Sequence, residues 1–185
     1  ITTTYTVTGT YGCCSATDQV VVTVNSLPAA TITATASSIC SGASTTLSAN
    51  AGTGYTYSWS NGSTVVGTTQ SITVNPTANT NYTVTVTNSN GCSAVSSPST
   101  ITVTAPPIAT ISGTAVVCAG TSTTLTASAG SSYLWSNGAT TSFITVTPVS
   151  TTSFSVTVTA NGCSSTSAVT EVTVNQLPSV SAGSD

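Results

Sequence analysis

A run of motifs occurs twice along this chain, in the same order both times. Cys40-Ser-Gly-Ala-Ser-Thr-Thr-Leu47 returns as Cys118-Ala-Gly-Thr-Ser-Thr-Thr-Leu125, and Tyr57-Ser-Trp-Ser-Asn-Gly62 returns as Tyr133-Leu-Trp-Ser-Asn-Gly138. Tyr82-Thr-Val-Thr-Val-Thr87 with Asn90-Gly-Cys92 returns as Phe154-Ser-Val-Thr-Val-Thr159 with Asn161-Gly-Cys163. Repetition on this scale means one folding unit used in series, so the fold must be one that a short segment can close. Pro-containing junctions at Ser26-Leu-Pro28, Pro106-Pro107 and Gln176-Leu-Pro178 divide the chain into complete modules at 26–105 and 106–178, because Pro ends a strand and stiffens a connection. Each is about 70 to 80 residues, small for an independent domain, which favours tandem stacking and a covalent staple.

A third copy is partial. Tyr5-Thr-Val-Thr8, Gly12-Cys13-Cys14 and Val20-Val-Val-Thr-Val-Asn25 match only the last part of a module, so residues 1–25 supply two late strands whose earlier partners are missing. Residues 179–185 read as the start of a further module or as a linker. The chain opens at Ile1 with neither Met nor a signal peptide, and so reads as a mature chain or an excerpt.

Thr and Val alternate through short stretches punctuated by Gly, Pro, Asn and Ser, and no stretch shows helical periodicity. β-Branched residues suit a pleated, half-buried surface. The pattern predicts an all-β fold of tandem immunoglobulin-like β-sandwich modules. In the first complete module the strands are expected at about 29–36, 45–50, 55–60, 70–75, 81–87 and 100–104. Asn61-Gly62 and Asn137-Gly138 are expected to be tight turns tolerating positive φ.

The 185 residues include no Lys, Arg or His, and charged residues make up 2%, against about 25% in an ordinary soluble domain. Without cations there is no source for the counterion release that drives nucleic-acid binding. Docking on anionic membranes lacks its polybasic patch, and no apolar run is long enough for a spanning helix, which excludes nucleic acid and direct membrane insertion as partners. Acid–base catalysis lacks His, Lys and paired carboxylates, since Asp18, Glu171 and Asp185 fall in different repeat positions. An enzyme is not expected, and no cofactor or metal site is implied. Absence of Lys also removes any Lys-to-Asn isopeptide crosslink.

Disulfides remain as the staple, and they imply export. Each complete module holds two cysteines, so counting predicts Cys40–Cys92 and Cys118–Cys163, each closing a loop of about fifty residues worth about 3 to 4 kcal/mol. Counting alone does not place the sulfurs near each other. Cys13 and Cys14 stand where the other copies have one cysteine; one should pair within the missing half-module and the other is left over. Trp59 and Trp135 are expected as core anchors, with Tyr82 and Phe154 as core or corner aromatics. A carbohydrate platform from Tyr55, Tyr57 and Trp59 is the competing use. Asn61-Gly-Ser63 and Asn81-Tyr-Thr83 match the asparagine glycosylation sequon, and the hydroxyl-rich surface suits O-glycans.

These motifs, with the Val-Thr-Val-Asn runs at Val22–Asn25 and Val172–Asn175, resemble the Ig-like and PKD-like repeats of long secreted surface proteins of Bacteroidetes-type bacteria. The resemblance implies spacers, adhesive stalks or filament components whose attachment is handled by other domains. Complete loss of cations departs from typical members and suits a low-charge, trypsin-resistant assembly. The expected function is therefore a structural subunit of an extracellular or cell-surface fibre, with adhesion or glycan binding as the alternative. Its partners would be other copies of itself or adjoining repeats. The candidate inter-subunit strand residues are Tyr5, Val7, Val20, Val22 and Val24, because strands without partners do not stay unpaired.

Overall fold

A computed structural model describes residues 2–178, and among them there are strands and turns but no helix. The chain divides between Thr102 and Val103 into two compact units, a few residues before Pro106-Pro107. Residues 179–185, read as a further module or a linker, lie outside the described residues.

In the first unit, strict alternation sets the layers. Along Thr80–Thr87 the side chains of Tyr82, Val84 and Val86 are buried while the residues between them are not. Along Thr45–Ala49 the same holds for Thr45, Leu47 and Ala49. Strand side chains alternate between faces, so each strand presents one row to the interior. Thr45–Ala49 pairs antiparallel with Ile32–Ala34 and Ser71–Val74, forming one sheet. The other sheet runs in the order Ser38–Cys40, Ser99–Thr104, Thr80–Thr87, Thr56–Ser60 and Val65–Gly67, with Ser93–Val95 also paired to Thr80–Thr87. Leu47 from the first sheet and Trp59, Val84, Val86 and Ile101 from the second are fully buried. Each such side chain contributes about 1.5 to 3 kcal/mol of transfer free energy.

The second unit repeats this plan. Ile111–Gly113, Thr123–Ala127 and Phe143–Val146 form one sheet. Opposite it, Ser132–Trp135 pairs with Val156–Ala160 and that with Cys163–Thr166, while Thr152–Phe154 pairs with Thr170–Asn175, which Val116–Cys118 joins in parallel. Its core gathers Leu125, Trp135, Ile144, Phe154, Val156, Val158 and Val172. The two units are immunoglobulin-like β-sandwiches, with the first strand split between the sheets.

That split departs from the single strand expected at 29–36. A buried threonine hydroxyl holds the crossover: Thr45 Oγ1 donates to the Ala36 carbonyl at 2.9 Å and accepts the Ala36 N–H at 3.1 Å. Thr123 Oγ1 does the same work in the second unit, donating to Thr114 O at 2.9 Å. A backbone leaving one sheet for the other loses ladder partners there, and these bonds replace them.

The Asn-Gly turns also differ in detail. Gly62 (φ 91°) and Gly138 (φ 86°) take the left-handed conformation, but Asn61 and Asn137 do not. Instead Asn61 Oδ1 accepts the Ser63 and Thr64 N–H groups, and Asn137 Oδ1 accepts that of Ala139. The asparagine acts through its side chain, as in an Asx turn. Asn161-Gly162 is the pair with both φ positive, at 52° and 78°, as a two-residue hairpin requires.

Candidate functional site

Thr3–Tyr11 and Cys14–Val22 form a nine-pair antiparallel hairpin running from Thr3↔Val22 to Tyr11↔Cys14, closed by Gly12 at φ 62°. Every residue from Thr2 to Leu27 is exposed. The register sorts the hairpin into two faces. One carries Tyr5, Val7, Tyr11, Ala16, Val20 and Val22, together with Asp18; the other is almost wholly Thr, Ser and Gln. Val24 lies beyond the ladder and is 62% exposed.

The same motif positions are covered in the complete modules. Phe154 and Val156 are 7% and 0% exposed, whereas their counterparts Tyr5 and Val7 are 59% and 67% exposed. Val172 and Val174 are 0% and 9% exposed, against 45% and 62% for Val22 and Val24. The hairpin thus displays a core face without a core.

Register also separates the two adjacent cysteines. Tyr11↔Cys14 closes the hairpin as Ala160↔Cys163 closes its counterpart, so Cys14 holds the repeat position and Cys13 sits in the turn. Both thiols are free and exposed.

The cysteine pairing expected from counting is not the one formed. Cys40 and Cys163 each take part in a disulfide, while Cys92 and Cys118 are free. Topology explains why Cys118 and Cys163 cannot bond to each other. Cys118 lies beside Asn175, at the pole where the strand Thr170–Asn175 leaves the sandwich, past the start of Thr152–Phe154. Cys163 lies beside Ala160, at the other end of that stretch. At about 3.3 Å per residue the separation exceeds about 25 Å, while a disulfide spans at most about 7 Å between Cα atoms.

Cys163 marks the N-terminal pole of its unit, with its sulfur 3.7 Å from Thr104 O and with Ser165 Oγ donating to Pro107 O. The first unit has the same order. Thr102 N–H donates to Ser37 O as Thr173 N–H donates to Ala115 O, placing Cys40 at the C-terminal pole. Asn88 accepts the Cys92 N–H and donates to Ser26 O, placing Cys92 at the N-terminal pole.

The aromatic residues are committed elsewhere. Trp59 is fully buried and its Nε1 donates to Thr69 O at 2.8 Å; Trp135 is 2% exposed and donates to Thr141 O at 2.8 Å. Tyr82 and Phe154 are buried at equivalent positions, and burial pushes the Tyr82 phenol above its ordinary value. Tyr57 is half-buried with its hydroxyl donated to Asn50 O. A sugar-stacking surface using Trp59 has no exposed ring face to work with.

Two buried hydroxyls escaped the reading of the sequence. Ser96 and Ser167 each bridge the backbone of the facing strand. Each stands at the same distance after its Asn-Gly-Cys cysteine, and each Thr of the buried Thr45 and Thr123 pair at the same distance after its opening cysteine. That positional recurrence was the available signal. Among the described residues no cluster of three or more His, Cys, Asp or Glu side chains forms.

Two immunoglobulin-like β-sandwiches and an exposed hairpin define a chain built from repeated immunoglobulin-like modules. Residues 28–107, the first complete repeat, match the family model described as Ig-like domain CHU_C associated. No curated protein matches the chain. The three N-terminal domains of the highly immunogenic outer capsid protein (Hoc) of bacteriophage RB49 are 22% identical over 78% of this chain, with a TM-score of 0.47. This chain spans 58% of that one. The N-terminal eight Ig domains of DSCAM isoform 1.30.30 are 14% identical over 94% of this chain and 27% of that one, with a TM-score of 0.49. Murine CEACAM1b is 14% identical over 80% of this chain and all of its own, with a TM-score of 0.40.

Proposed function

We propose that this chain is a structural subunit of an extracellular bacterial fibre or surface stalk, joined to neighbouring repeats by β-strand pairing through its N-terminal hairpin. The carrying observation is the hairpin itself, whose Tyr5, Val7 and Val22 are exposed where the matching residues of both complete modules are core. A two-stranded hairpin with an open apolar face is marginal in water, and its long unpaired edges are templates for further strands. In this reading that face is covered by strands of another copy or of adjoining repeats of the same chain.

Composition supports the same reading. A net charge of −3 gives little repulsion between copies. With no Lys or Arg the surface also offers no site to trypsin-like proteases.

Electron microscopy of exported material tests the proposal. Filaments in which residues 3–22 pair with strands of a neighbouring repeat are expected. Isolated monomers with an unpaired 3–22 hairpin would overturn it.

A further inference from the structure

Each complete module carries one cysteine at each pole, and each pole position is bonded in one module and open in the other. At the C-terminal pole Cys40 is disulfide-bonded and Cys118 is an exposed free thiol. At the N-terminal pole Cys163 is bonded and Cys92 is free. Repeat-equivalent residues in one sequence frame share backbone geometry, so a position that forms a disulfide in one copy is built to form one in the other.

Neither open thiol can be satisfied inside its own module, because the two poles stand more than about 25 Å apart. Partners must come from another repeat. The hairpin supplies the needed type, since Cys14 occupies the register position of Cys163 and is exposed.

We propose that Cys118 is a covalent junction site, forming a disulfide with the N-terminal-pole cysteine of a neighbouring repeat, the position held here by Cys14, Cys92 and Cys163. Cys92 takes the reciprocal bond with a C-terminal-pole cysteine. Successive repeats are thereby locked end to end, in addition to strand pairing. The inference rests on the fibre reading only in requiring that repeats be neighbours.

In forming the bond, two thiols lose two protons and two electrons as one S–S bond is made. The acceptor is the disulfide of an exported dithiol oxidase, whose own S–S bond breaks and takes up two electrons and two protons.

The test is disulfide mapping of the exported native protein. Free thiols are alkylated first, and the chain is then cut with pepsin in acid, where thiolate exchange is suppressed. The expected product is a Cys118 peptide joined to a peptide carrying an Asn-Gly-Cys or Gly-Cys-Cys cysteine from another repeat. A reduction-sensitive ladder on a gel would assign that repeat to a second copy. Unchanged single-chain migration would assign it to the same polypeptide, and either supports the bond. Cys118 recovered alkylated before reduction, or joined to Cys163 in material that migrates as a single chain, overturns it. Filaments containing alkylated Cys118 would sink the crosslink while leaving the fibre standing. A Cys118→Ser variant, altering an exposed side chain, should fold normally and lose the linked peptide.

Discussion

Ser96 and Val84 exchange two hydrogen bonds across the second sheet of the first module: Val84 N–H donates to Ser96 Oγ at 3.1 Å, and Ser96 N–H donates to Val84 O at 2.9 Å. Ser167 and Val156 repeat the arrangement at 3.1 and 2.9 Å. In both, the return strand bulges by one residue relative to the hairpin, where the pairing is uninterrupted. The serine hydroxyl occupies the ladder position that the bulge vacates. Ser96→Ala leaves the buried Val84 N–H without an acceptor and is expected to destabilise the module by about 1 to 3 kcal/mol. A lowered denaturation midpoint at unchanged slope would show this; an unchanged midpoint would count against the bridge.

Trp59 anchors the core of the first module through both its area and its indole N–H. Trp59→Ala is expected to cost about 3 to 5 kcal/mol, comparable with the whole stability of a small domain. Thermal unfolding should show loss of one cooperative transition while the module containing Trp135 still melts. A variant retaining both transitions at wild-type temperatures would contradict the packing.

Alkaline stability should depend on Tyr82. Burial raises its phenol above the usual value near 10, so folding favours the neutral form. That contribution is complete below the unfolded value and is lost as pH rises through the folded one. Urea titrations should therefore show stability falling above about pH 10, with a smaller fall in Tyr82→Phe. The second module carries Phe154 at this position and serves as an internal comparison. Equal alkaline losses in wild type and variant would refute the assignment.

Val7 lies directly opposite Asp18 in the hairpin register. Val7→Asp sets two carboxylates across from each other, which weakens a strand pair, and places charge on the apolar face meant to be covered. Filaments seen by microscopy are expected to disappear while the melting of both modules stays unchanged. Asp18→Asn removes the existing charge and should preserve assembly. Undiminished filaments in Val7→Asp would remove the hairpin from the interface.

Strand facing was legible because it is local. In Tyr82-Thr-Val-Thr-Val-Thr87 the choice of inward residue follows from alternation within a few residues, and the duplicated motifs repeat it. Short strands such as Val65–Gly67 and Ser93–Val95 were not legible, since three residues carry too little pattern. The crossover at Ala36 was also hidden, because Thr45 looks like any other strand threonine until its hydroxyl is seen bonded across the gap.

The sequence by itself determined the strand alternation and the repeating all-β immunoglobulin-like plan. Both follow from composition and short-range periodicity, which need no knowledge of what lies opposite. Tertiary structure decided which thiols can meet. Cysteine counting assigned one disulfide to each module, yet strand direction sends Cys40 and Cys118 to one pole and Cys92 and Cys163 to the other. Distance across a sandwich is set by long-range register, and no spacing within the sequence encodes it directly.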